Sequence, residues 1–183
     1  MNTLAGVLIL VAFMPYIWAI ISGQTVPSPV SWTIWASVDT LTLVAMKKEK
    51  AVTGQLSGAV VGAWIVMVLA VIYGVPEIGY VEWVSIAGAV TGIVLWQKTG
   101  NPILAIICTQ AALLAGAVPT LHKAYLNPFE EDPLTWTLWE VSCICAIKAI
   151  PKWNLANALQ PLTFLTIDTA VYTLVVIRPL WFL

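Results

Sequence analysis

No Asp, Glu, Lys, Arg or His precedes Asp39, and beyond it the charges fall in short clusters separated by long apolar runs. A hydrocarbon core of about 30 Å is crossed by about 20 such residues in a helix. Lipid leaves backbone groups no outside partner, so runs of this kind fold as helices. At 60% hydrophobic and 9% charged over 183 residues, with mean hydropathy +0.91, the chain is too apolar for a soluble domain or a soluble enzyme. Eight basic and nine acidic residues leave a net charge of −1, with no basic patch for nucleic acid and no polybasic arm for anionic lipid. Cys108, Cys143 and Cys145 sit in apolar segments, and C-x-C without a second Cys/His pair lacks zinc spacing. They read as small buried side chains, and no metal or cofactor is called for. The first run has no positive flank of the signal-peptide kind, so it is expected to be a retained span.

Boundaries of charge, Pro, Gly and Asn divide the chain into seven expected transmembrane helices of an all-α membrane protein. They lie near Thr3 to Ile21, Val30 to Met46, Val52 to Tyr73, Tyr80 to Gln97, Pro102 to Leu121, Leu134 to Ile150 and Ala158 to Ile177. Pro15 and Pro119 fall inside the first and fifth, which predicts a kink or break near one membrane face.

A displacement of 104 residues lays Pro15 on Pro119 and Pro29-Val30-Ser31-Trp32-Thr33-Ile34-Trp35 on Pro133-Leu134-Thr135-Trp136-Thr137-Leu138-Trp139, with four of seven positions identical. The same displacement matches the third span to the seventh. The expected organisation is a triple-helix bundle over residues 1–75, a linker helix over 76–100 and a second triple-helix bundle over 101–183. The extra crossing restores the direction of the first unit, so the repeats are parallel about an axis along the membrane normal, with a cavity between them.

Three acids fall near span centres: Asp39, Glu140 and Asp168. A charge there costs about 2.5 to 3.5 kcal/mol on insertion scales, so each is expected to face a polar interior. The displacement sets Ala36 on Glu140 and Asp39 on Cys143, one turn apart on equivalent helices, which points Asp39 and Glu140 towards the cavity. Trp64 pairs with Asp168, and Gln110 is central in the fifth span. An aromatic face opposite a carboxylate suits a sugar or nucleoside ring, or a cation. Structural alternatives stand beside these. Asp168 and Asp39 would cap polar groups between helices, Glu140 would pair with Lys148 two turns along, and Trp64 would face lipid. Trp32, Trp35, Trp136 and Trp139 lie at span entrances, where aromatic belts form; their repetition adds a packing or gating role. His122 and Lys123 are expected at solvent or headgroups, without chemistry.

The 3+1+3 plan, the proline late in the first helix of each unit and the Pro-x-Ser/Thr-Trp start of the second resemble the PQ-loop and SWEET superfamily of small transporters. The resemblance spans nearly the whole chain, but Pro15-Tyr16 and Pro119-Thr120 keep the family's proline and replace its glutamine. It implies a non-enzymatic carrier working by alternating access, with a sugar or other small polar solute as substrate. It also makes Trp64 and Asp168 the mid-depth cavity positions and Pro15, Pro119, Trp35 and Trp139 the hinge and gate. Acids that take a proton on one side and release it on the other would couple transport to a proton gradient. The alternatives are a PQ-loop-type receptor and a carrier of cationic amino acids or vitamin precursors. A retinal protein is excluded, since the seventh span has no lysine. Partners are the solute and the bilayer, and an oligomer is neither required nor excluded.

Lys47, Lys48, Lys50, Lys98, Lys148 and Lys152 fall on one set of connections, and Lys123 and Arg178 on the other, which carries Glu77, Glu82, Glu130, Glu131 and Asp132. The positive-inside rule then puts the N-terminus in the cytoplasm and the C-terminus outside, a departure from the usual plant SWEET arrangement, and the expected location is the plasma (inner) membrane.

Overall fold

Three helices start by one device, a short polar side chain followed by proline. Ser28 accepts a hydrogen bond from the Ser31 amide, Asn101 from Ile103 and Leu104, and Asp132 from Thr135, each with proline in the first turn. Ser28 and Asp132 are related by the 104-residue displacement. The computed structural model describes residues 1–75 and 79–182, apart from some side chains in 81–99 and 181–182. Its helices are α1 (Asn2–Ile21), α2 (Pro29–Lys48), α3 (Gly54–Tyr73), α4 (Tyr80–Thr99), α5 (Pro102–Leu126), α6 (Pro133–Lys148) and α7 (Leu155–Tyr172). A π turn (Thr173–Ile177) and a 3-10 stretch (Arg178–Phe182) prolong α7.

No strand occurs among the described residues, and the chain has the make-up of an integral membrane α protein. Four described helices are long and apolar enough to cross a bilayer: α1, α3, α5 and the stretch Leu155–Leu180. The 16 residues of α6 rise only about 24 Å, and α2 carries Asp39, Lys47 and Lys48.

α3 packs on both α1 and α2, and α7 packs on both α5 and α6. α1 also meets α6, and α2 meets α5. Six helices therefore close a ring in the order α1, α3, α2, α5, α7, α6, and α4 lies outside it against α5 and α2. Glycine spacing brings α1 and α3 close: Gly54, Gly58 and Gly62 fall every fourth residue. A Cβ on Gly62 would stand 2.0 Å from the Phe13 ring, and one on Gly54 2.6 Å from the Asn2 carbonyl oxygen. That clearance lets Phe13 turn into the ring.

Two expectations are narrowed. Of the kink or break expected at each proline, the break does not occur: α1 and α5 both run through as continuous helix. The amide that proline lacks leaves one unbonded carbonyl, and the flanking turns hold the rest. The second is the end of α5, which extends to Leu126 and so carries His122 and Lys123 on a helical surface. Glu77 lies outside the described residues, as does the side chain of Glu82.

Candidate functional site: a chamber inside the six-helix ring

Four tryptophans converge on the ring interior because each pair is three residues apart on its helix, hence on one face. Trp32 and Trp35 come from α2, Trp136 and Trp139 from α6, and all four line one cavity of about 60 Å³. Their geometry repeats with their sequence. Trp32 and Trp35 meet edge to face at 5.0 Å and 85°, and Trp136 and Trp139 do so at 4.9 Å and 85°. Phe13 stands 5.1 Å from Trp139, and Tyr16 lies 5.4 and 5.2 Å from Trp32 and Trp139. Such pairs add about 0.5 to 1.5 kcal/mol each beyond buried area, so the cluster is a stiff wall. Two further pairs related by the displacement, Ile9 with Leu113 and Ala63 with Ile167, complete much of the lining.

The hydrogen bonds depart from this symmetry. Trp35 Nε1 donates to the Leu113 carbonyl at 3.3 Å and Trp136 Nε1 to Glu131 Oε2 at 3.1 Å. The indole N–H of Trp139 has no partner among the described residues, and that of Trp32 is directed at the Tyr16 hydroxyl without reaching full hydrogen-bond geometry.

Two carboxylates enter the chamber, Asp39 from α2 and Asp168 from α7. Asp39 is 3% exposed, and its Oδ1 has no partner among the described residues. Asp168 Oδ2 accepts from the Cys143 thiol at 2.9 Å. Cys143 is the repeat equivalent of Asp39, so the second unit answers a carboxylate with a thiol. No Lys, Arg or His is among the lining residues.

From Cys143 a chain of side chains runs to one end of the ring. Gln55 Nε2 donates to Cys143 Sγ at 3.1 Å and to Ser142 Oγ at 3.3 Å, and Gln160 Nε2 donates to Gln55 Oε1 at 3.5 Å. Thr53 Oγ1 donates to Gln160 Oε1 at 2.9 Å, and Ser142 Oγ to the Ala5 carbonyl at 2.9 Å. These bonds join the beginnings of α1, α3 and α7 to the last turns of α6.

The opposite end is held by Glu131, from the connection between α5 and α6, whose side chain is 1% exposed. Its carboxylate accepts from Tyr16 Oη at 3.0 Å and from Trp136 Nε1, and pairs with Lys123 Nζ at 2.9 Å. Lys123 also donates to the Val26 carbonyl, so the α1–α2 and α5–α6 connections are fastened together. Tyr16 and Lys123 stand just after Pro15 and Pro119, the two equivalent prolines.

Asp39, Asp168, Trp35 and Trp139 thus share the chamber, while the other sequence candidates lie elsewhere. Trp64, expected at mid-cavity, is 43% exposed on the outer side of α3 and donates to Thr40 Oγ1 at 3.0 Å. Glu140, expected to face the cavity, instead accepts from Thr169 Oγ1 at 3.0 Å between α6 and α7. Lys148, its proposed partner, is exposed and about 12 Å further along the helix, too far for a pair. Gln110 is buried but bridges α5 to Thr42 Oγ1 of α2 at 3.2 Å outside the lining. Pro15 and Pro119 do not line the chamber. Lys123 does not face solvent or headgroups but is ion-paired, while His122 is exposed. Sequence reading missed Glu131, Tyr16 and the thiol of Cys143. The signal available for Tyr16 was its place directly after Pro15, the proline that repeats as Pro119; for a loop acid beside two others there was none.

No protein-family model matches the chain, and no curated protein or solved structure is found to be similar to it.

Proposed function

We propose that the chain is a small-solute membrane carrier of the PQ-loop and SWEET plan, with seven spans and alternating access of one central chamber. The observation that carries this reading is a pair of acids, Asp39 and Asp168, held at mid-helix inside a closed six-helix ring. Intramembrane acids facing a bundle interior mark solute or ion paths. The paired helix contacts α1–α3 with α5–α7, α2–α3 with α6–α7 and α1–α6 with α2–α5 support the parallel repeat and its membrane-normal axis. In this reading Tyr16 and Lys123, beside the prolines, are where one end opens, and Glu131 is the group they release.

Orientation follows from the lysines. Lys47, Lys48, Lys50, Lys98, Lys148 and Lys152 are all exposed at the end where the amide chain lies. Lys123 and Arg178 at the other end are engaged with protein: Lys123 with Glu131, Arg178 with the Tyr125 carbonyl at 2.6 Å and over its ring at 4.8 Å. Free charges at one end support a reading in which that end, with the N-terminus, is cytoplasmic.

The deciding experiment introduces a thiol into the lining, Ala63→Cys, in protein reconstituted into liposomes. A carrier exposes this position to small impermeant thiol reagents from each side in turn, and a bound solute slows both reactions. Labelling from neither side, with or without solute, would remove the carrier reading. Asp168→Asn should abolish any dependence of uptake on a proton gradient; unchanged uptake and gradient dependence would show that the carboxylate has no part in it.

A further inference from the structure

We propose that the chamber takes the head of a small organic cation without an acidic group, a protonated amine seated between the Asp39 and Asp168 carboxylates and the indole faces. The inference rests on the carrier reading for its place in transport; the binding itself is argued from the lining alone.

Two carboxylates face the cavity and no basic side chain does, so an anion is repelled. A zwitterionic amino acid would bring its own carboxylate against Asp39 and Asp168 with nothing to neutralise it. An ammonium group carries three donors and no acceptor. Asp39 Oδ1, buried and unpartnered, supplies an acceptor at hand, and Asp168 keeps lone pairs beyond the one that Cys143 uses.

The aromatic wall adds a second attraction, because ring faces draw a desolvated cation and tryptophan does so best. Four tryptophans and Phe13 surround one small space. A sugar fares worse on the same count. Each of its hydroxyls both donates and accepts, yet beyond the two acids the described side chains offer it little more than the Trp139 N–H group. Hydroxyls buried without partners are penalised heavily, so hydrocarbon and ring faces select against them.

The test uses three probes of one shape and different charge, propylammonium, 1-propanol and propionate, with glucose as a fourth, on purified full-length protein. Propylammonium is expected to raise the melting temperature by mass action, and the other three at equal concentration are not. Asp39→Asn should weaken propylammonium binding by about thirtyfold or more. Trp139→Phe, which keeps a ring and deletes an unpartnered N–H, should cost less than about fivefold. Should Asp39→Asn not fold, Asp168→Asn supplies the same readout. Equal stabilisation by 1-propanol or glucose, or none by propylammonium, overturns the proposal. Propylammonium binding without flux through proteoliposomes would retire the carrier reading and leave this inference standing. Glucose flux without propylammonium binding would do the reverse.

Discussion

The two ends of the ring are joined by different chemistry. At the end carrying Glu131, one loop carboxylate gathers a phenol, an indole and an ammonium from three helices, and little solvent reaches it. At the other end Gln55, Gln160, Ser142 and Thr53 pass neutral hydrogen bonds between helix starts, among exposed lysines that take no part. A buried ion pair is held by a few kcal/mol once made and is costly to leave half-made, whereas each neutral bond is worth about 1 kcal/mol. The charged end is therefore all-or-none and the amide end graded. A device that releases in one step suits a gate; one that yields bond by bond suits a stay.

This contrast can be broken by substitution. Glu131→Gln should have the largest effect, lowering stability by about 3 kcal/mol because Lys123 is left as a half-buried charge and Tyr16 and Trp136 lose a charged acceptor. Thermal melting in detergent reads it, and a loss no larger than that of Gln55→Leu would erase the difference between the ends. Adding Lys123→Met to Glu131→Gln should restore part of the loss, since the stranded charge is removed. A double variant worse than the single one would show that the pair itself is not what fastens this end.

Trp136→Phe and Trp32→Phe sharpen the point inside one repeat pair. Trp136 donates to a charged acceptor, whereas Trp32 is directed at the neutral Tyr16 hydroxyl, so the Trp136 substitution should cost about 1 kcal/mol more. Equal losses would mean the Glu131 bond contributes nothing extra. Gln55→Leu is the smallest expected effect, about 1 to 2 kcal/mol, from the stranded Gln160 amide and Ser142 hydroxyl. A loss above that of Glu131→Gln would reverse the assignment of gate and stay.

Helix positions were legible from local chemistry. Ser28-Pro29, Asn101-Pro102 and Asp132-Pro133 are start signals written in adjacent residues, and each begins a helix. Which face of a helix turns inward was less legible, because these helices are apolar on nearly every side and carry no stripe to orient them. Asp39 and Asp168 betrayed themselves by their cost in an apolar run. Trp64 was placed by analogy with its repeat partner, but the displacement preserves backbone position and not side-chain surroundings. Glu140 failed for a related reason: a hydroxyl on the neighbouring helix, Thr169, offered a nearer partner than the cavity.

The sequence by itself determined the segments that become helices and the start signals of several of them, since hydropathy, capping and proline act over a few residues. Tertiary packing decided the rest. Closing six helices into a ring fixed their rotation, brought α2 and α7 acids into one small aromatic chamber, and drew a loop glutamate 115 residues away onto Tyr16. Contacts of that separation depend on how whole helices rotate and pack, which no local pattern of residues encodes.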